Sequence, residues 1–158
     1  MRPVQLRPAR AGDTDAVAAI WMSGWRDGHL GHVPDALVAI RTDESFRTRA
    51  TERVADATVA EVAGEVAGFV MVVGDEVEQV YVAAAHRGSG VAALLLGAAE
   101  RQVAEGGHPL TWLAVVPGNA RARRFYERHG WIDDGPFDYA IGHPEVAHVR
   151  CHRYIKQL

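Results

Sequence analysis

The residues best suited to chemistry cluster around one turn, in the stretch Val80-Tyr81-Val82-Ala83-Ala84-Ala85-His86-Arg87-Gly88-Ser89-Gly90-Val91-Ala92. An alternating apolar segment leads into it, and from Val91 to Val103 the apolar spacing is helical. A strand that feeds a helix through glycines leaves several backbone N–H groups unpaired and pointing one way, where the helix dipole adds partial positive charge. With Arg87 beside them, these groups make a phosphate cradle suited to the pyrophosphate of a large cofactor. No Lys-Ser/Thr pair follows Gly90, which argues against a nucleotide-triphosphate loop.

Other reactive side chains are more dispersed. Glu76 and Glu78 stand two residues apart on the strand that enters the turn, so alternation puts them on one side as candidate bases. Eight histidines invite a metal reading, but His148 and His152 fall on an expected strand. His143 lies near them without a cysteine or carboxylate to complete a tetrahedral set, and no metal is expected. Cys151 has no recognisable base partner and reads as a buried strand cysteine. As the one cysteine it excludes an internal disulfide and suits a reducing, cytoplasmic compartment.

The elements that must position these groups follow from periodicity. Val4 to Arg7 is a short strand closed by Pro8, and Asp13 or Thr14 caps a helix carrying Val17, Ile20 and Trp21, which ends at Asp27-Gly28-His29. Pro34-Asp35 opens a second helical region, and the arginine-rich residues 41 to 53 read as a mostly solvated helix. Strands are expected at 58–62, 65–73, 76–82 and 110–116, then at 131–137 and 146–155. A helix stopped by Gly106-Gly107 and another over 119–129, capped by Gly130, separate the later strands. The order gives an α/β or α+β domain spanning residues 1–158, its sheet covered by helices on both faces. Formal net charge is −3, which argues against broad nucleic-acid binding. The apolar runs are too short for a membrane span, and no apolar core follows the N-terminus to make a signal peptide.

Arg87-x-x-Gly90-x-Ala92 resembles the Q/R-x-x-G-x-G/A signature of the GCN5-related N-acetyltransferases, the GNAT superfamily. Asn119 to Trp131 (N-A-R-A-R-R-F-Y-E-R-H-G-W) resembles that family's second motif, N-x-x-A-x-x-F-Y-E-x-x-G-F/W. Trp25 and Gly31-x-x-Pro34-Asp35 are similar to a common N-terminal variant. The resemblance implies one domain with a mixed, mostly antiparallel sheet of about seven strands, splayed in the middle. It implies acetyl transfer from acetyl-CoA to an amine of a small molecule or protein, by direct attack in a ternary complex. The pyrophosphate would rest on residues 87 to 92 (Arg87, Gly88, Ser89, Gly90, Val91, Ala92), and the pantetheine arm along Val80, Tyr81 and Val82.

Tyr126 matches the family's tyrosine beside the cofactor sulfur and is the expected general acid, with Glu76, Glu78 or a water as base. Asn119 would bond the pantetheine or cap its helix, or both, while Trp25, His29 and His32 would contact the acceptor. Arg123 is expected to pair with Glu127, and one arginine of the Arg121-Arg123-Arg124 run is placed to reach the cofactor's 3′-phosphate. Ala84 stands where the family often has proline, and Ala114 where a bacterial N-terminal-amine subgroup carries glutamate, which argues against a ribosomal-protein acceptor. A non-catalytic acyl-CoA sensor of the same fold is the alternative. Homodimerisation through the C-terminal strand, with Tyr154 and Ile155 exposed, is also an expectation.

Overall fold

A computed structural model describes residues 3–141 and 147–158. His143 and the expected strand start at Val146 lie outside them. Seven strands form one sheet in the order β1-β2-β3-β4-β5-β7-β6. They are β1 (Val4–Pro8), β2 (Ala57–Val62), β3 (Glu65–Val73), β4 (Glu76–Val82), β5 (Leu110–Val115), β6 (Ile132–Ile141) and β7 (Ala147–Gln157). Every neighbouring pair is antiparallel except β4 and β5, which are parallel and in register only at Glu76 opposite Trp112.

That one register is pinned from the turn before β4. The Trp112 amide donates to the Asp75 carbonyl at 3.2 Å, and the Thr111 hydroxyl donates to the same oxygen at 2.9 Å. The Trp112 indole N–H adds a bond of 3.0 Å to the Asp75 carboxylate. Beyond the pin β4 and β5 diverge, and the facing backbone groups have no strand partner across the gap.

Alternating side chains send β3 into two cores. Phe69 and Met71 join α1 (Thr14–His29), α2 (Asp35–Ile40) and α3 (Asp43–Glu52) on one face through Trp21, Trp25, Leu37 and Phe46. Val70 and Val72 face α4 (Val91–Glu105) with Leu95, Leu96 and Val103, and α5 (Ala120–Arg128) packs on the same side through Ala122, Phe125 and Tyr126. α3 is less solvated than its arginines suggest. Phe46 and Ala50 are buried, and the Arg49 guanidinium lies 4.1 Å over the Trp21 ring, which covers its apolar stem and planar face. α1 ends at His29, within the expected Asp27-Gly28-His29.

Tyr154 is fully buried, contrary to its expected exposure, because β7 lies between β5 and β6 and not at the edge. Its hydroxyl accepts from Arg123 Nε at 3.1 Å and donates to Glu127 at 2.9 Å. The expected Arg123–Glu127 pair is therefore bridged by the phenol, which fixes α5 to the sheet. Among the described residues no helix is long and apolar enough to cross a membrane, and no cluster of three histidine, cysteine or acidic residues could hold a metal.

Candidate active site

The gap between β4 and β5 opens into two cavities that share Val80, Tyr81, Asn119, Ala122 and Tyr126. The larger is a cleft of about 550 Å³ between the glycine turn and α5. Gly88 and Gly90 adopt φ of 76° and 87°, a left-handed conformation that costs glycine little, and so turn the chain sharply into α4. Leu94 is the first α4 amide with a backbone partner, the Gly90 carbonyl at 3.2 Å, while Val91, Ala92 and Ala93, which precede it, line the cleft. Arg87, Arg121 and Arg128 add a cationic rim. The free amides, the diverging β4 backbone and this rim fit a phosphate-bearing, extended ligand such as acetyl-CoA.

Some groups in the turn are already engaged. The Ser89 hydroxyl donates to the His86 carbonyl, its amide donates to the same oxygen at 3.3 Å, and Ser89 lies outside the cleft wall. Arg87 is held by Asp27 of α1 at 2.5 Å, so a phosphate ligand must compete with that carboxylate. Asn119 caps α5, its Oδ1 accepting from the Ala122 amide at 3.3 Å, and also lines both cavities.

α1 forms the opposite wall through two glycines one turn apart. A Cβ at Gly24 would sit 2.3 Å from the Tyr81 ring, and one at Gly28 would sit 2.7 Å from Asn119 Nδ2. Glycine at these points lets β4 and α5 close on the helix. Two glycines inside a helix, where each costs about 1 kcal/mol against alanine, were the legible sign of a close approach.

The second cavity, about 160 Å³, lies on the α1–α3 side of the gap. Trp25, His29, Glu76 and Glu78 line it, as do Arg41, Arg49 and Tyr139. Its β4 wall is irregular. Val72 pairs with Val77 and Met71 with Gln79, so Glu78 is an extra residue in a bulge, yet it still borders the same cavity as Glu76. Glu78 is tied to Arg53 at 2.5 Å. Glu76 instead accepts from the Tyr139 hydroxyl at 2.5 Å. Burial pushes the Glu76 carboxyl up to about 7, against the lowering effect of that hydrogen bond.

Trp25 and His29 stack at 5.0 Å, and His29 Nδ1 lies 2.8 Å from the Trp25 carbonyl. A carbonyl only accepts, so Nδ1 carries the proton. Burial lowers the His29 pKa, which keeps the ring neutral and leaves Nε2 an acceptor. His32 lies outside both cavity walls; its ring packs on Gly118, where a Cβ would meet Nδ1 at 2.1 Å. Tyr126 stands where the cavities join, its ring near Phe125, Trp131 and Tyr154, and burial pushes its hydroxyl up to about 12. Arg41, Arg49 and Tyr139 escaped the sequence reading because each is an ordinary residue of its own element, brought here only by tertiary packing.

Comparison with known proteins places this geometry. The pattern of the acetyltransferase (GNAT) family matches residues 15–131. No curated protein sequence matches the chain significantly. Among solved structures it is similar to a GCN5-related N-acetyltransferase of Rhodopseudomonas palustris, with a TM-score of 0.77, 20% identity and coverage of 100% of this chain and 98% of the other. It is also similar to the PaiA N-acetyltransferase of Thermoplasma acidophilum, solved with coenzyme A (TM-score 0.70, 14% identity, 99% of each chain). A nourseothricin acetyltransferase is 31% identical over 64% of each chain, with a TM-score of 0.55.

Proposed function

Because the chain belongs to the GNAT acetyltransferase family, we propose that it transfers an acetyl group from acetyl-CoA to a primary amine, by direct attack within a ternary complex. The observation that carries this reading is the meeting of two cavities at Tyr126, one lined by free amides and cations, the other by Glu76. When bound, acetyl-CoA supplies an activated acetyl carbonyl and a thiolate leaving group. Val91, Ala92 and Ala93 offer amides to its phosphates, with Arg87 once it leaves Asp27, and the β4 backbone at Val80–Val82 lines the path of its arm.

An amine reaches the second cavity largely as an ammonium and must lose a proton before it can attack. Glu76, with its carboxyl near 7, is half ionised at neutral pH and takes that proton directly or through a water. Glu78 is committed to Arg53 and serves better to shape the wall than to move protons. Tyr126 stays protonated at neutral pH and faces both cavities, so its hydroxyl is the donor for the departing sulfur.

Release of free coenzyme A thiol from acetyl-CoA with an amine panel tests the reading. Turnover with at least one amine is expected, and Tyr126→Phe should lower kcat by about 100-fold, the usual scale of a lost acid, while leaving coenzyme A affinity nearly unchanged. Tight coenzyme A binding with no turnover for any amine would overturn catalysis and leave an acyl-CoA sensor of the same fold.

A further inference from the structure

The acceptor cavity is bordered by two cations, one of which, Arg49, is only partly compensated by the charge of Glu78. Arg41, just after α2, and Arg49 of α3 both border it, and neither makes an ion pair among the described residues. Arg41 Nε and Arg49 Nη1 are sealed from solvent without a hydrogen-bond partner. The rings of Trp21 and Phe46 account for one face of the Arg49 guanidinium, at 4.1 and 5.8 Å, but rings of this kind leave the in-plane N–H groups unused. The two arginines also repel each other. Burial, then the charge of Arg41, pushes Arg49 down to about 10. The nearby carboxylates are occupied, Glu78 by Arg53 and Glu76 by the Tyr139 hydroxyl. Tyr81 lines this cavity and the cofactor cleft alike, so the two are joined along a shared wall.

Cations in a cavity wall without an ion-pair partner are costly unless an anion answers their charge. We propose that the amine acceptor also carries a negatively charged group, an α-amino acid being the simplest case, and that Arg41 and Arg49 bind that anion; this rests on the acetyltransferase reading. The cavity is then matched in polarity to a zwitterion. Guanidinium donors and the acceptors Glu76 and His29 Nε2 line the same cavity, so one small molecule could meet both. Its volume of about 160 Å³ is below the roughly 300 Å³ at which ordinary small-molecule sites begin, which favours a compact acceptor.

Matched acceptors test this: the common α-amino acids against their primary amides, which keep the amine and side chain but lose the negative charge and mimic a protein N-terminus. Thiol release should favour the best acid over its amide by about 10- to 100-fold in kcat/KM, the value of a charge-assisted contact. Arg41→Gln, which breaks no side-chain hydrogen bond or ion pair among the described residues, should erase most of that preference by raising KM for the acid. Turnover of the amide should fall less than turnover of the acid, and KM for acetyl-CoA should change less than KM for the acid. Arg49→Lys, which keeps the charge, should retain more of the preference than Arg49→Gln. Turnover that is equal for acids and amides, or better for amides, overturns the inference and leaves the acetyltransferase standing. If no amine is acetylated, calorimetric titration of the coenzyme A-bound protein with the same acids still decides it: binding weakened by Arg41→Gln supports the anion site, and absence of binding overturns it.

Discussion

Glu76 is the residue through which pH enters the proposed chemistry. Its carboxyl is raised because burial penalises the charged form, and the Tyr139 hydroxyl opposes that by donating to it. kcat/KM should therefore rise with pH through an apparent pKa near 7. Tyr139→Phe removes the opposing bond, so the rising limb should move to higher pH, a displacement that a purely structural tyrosine would not cause. Glu76→Gln should lower kcat/KM by about 100-fold and flatten the limb. The same shift has a stability cost with a definite sign. Between about 4.5, the ordinary value, and about 7 the folded state binds more protons than the unfolded chain, so this group's contribution falls as pH rises. Glu76→Gln should thus melt higher than wild type at pH 8 and show less difference at pH 4, as scanning calorimetry can read. Glu76 was nominated from sequence by strand alternation together with the family resemblance. Its partner Tyr139, 63 residues away on a late strand, was not, because nothing local marks a tyrosine as facing a carboxylate.

Among the elements, α1 does more to place the site than its amphipathic pattern suggests. Its start is locked to β1 by Arg7, which donates to both oxygens of the buried Asp13 at 2.8 and 2.9 Å, while the Arg10 amide donates to the same carboxylate at 2.9 Å. The Arg7 guanidinium holds the Asp13 carboxyl below its usual range in spite of burial. Asp13→Ala should cost about 2 kcal/mol of stability by removing charge-assisted hydrogen bonds to Arg7 and the Arg10 amide, with Glu61 still holding Arg7 at 2.8 Å, measured by urea unfolding at neutral pH. The penalty should shrink as acid protonates Asp13 in the wild type. Further along α1, Gly24→Ala gains about 1 kcal/mol in helix propensity but forces the Tyr81 ring aside. We expect at least a tenfold rise in KM for acetyl-CoA, roughly the effect of 1.4 kcal/mol. Gly12→Ala, with nothing within 4 Å of the added carbon, should leave KM unchanged. Periodicity located most elements to within a few residues, because each buries one continuous apolar face. It failed where burial is not apolar: Arg49 hides under rings, and Tyr154 satisfies its hydroxyl with Arg123 and Glu127 beneath α5.

At the scale of the molecule, the glycine-turn wall of the larger cleft was legible because it is local, a turn and a helix start written within residues 80 to 92. The acceptor side was not, since it gathers Arg41, Arg49, Glu76 and Tyr139 from four separate stretches whose meeting depends on the completed sheet. That sheet is joined across its middle at one register, Glu76 with Trp112, beside the Asp75 pin. Strands β1–β4 and β5–β7 are therefore two ladders with little backbone bonding between them, and backbone bonding is what makes ladders open together. Amide deuterium exchange should report this directly. Without ligand, the amides of β4 and β5 that face the gap should exchange faster than those paired to β3 and β7. Saturating coenzyme A should slow exchange in both ladders at once and raise Tm by mass action. Protection confined to the glycine turn would show that the ladders remain independent. On this view the ligand acts as the absent rung of a seven-stranded ladder, and each catalytic cycle alternately stitches and unstitches the two halves of the protein.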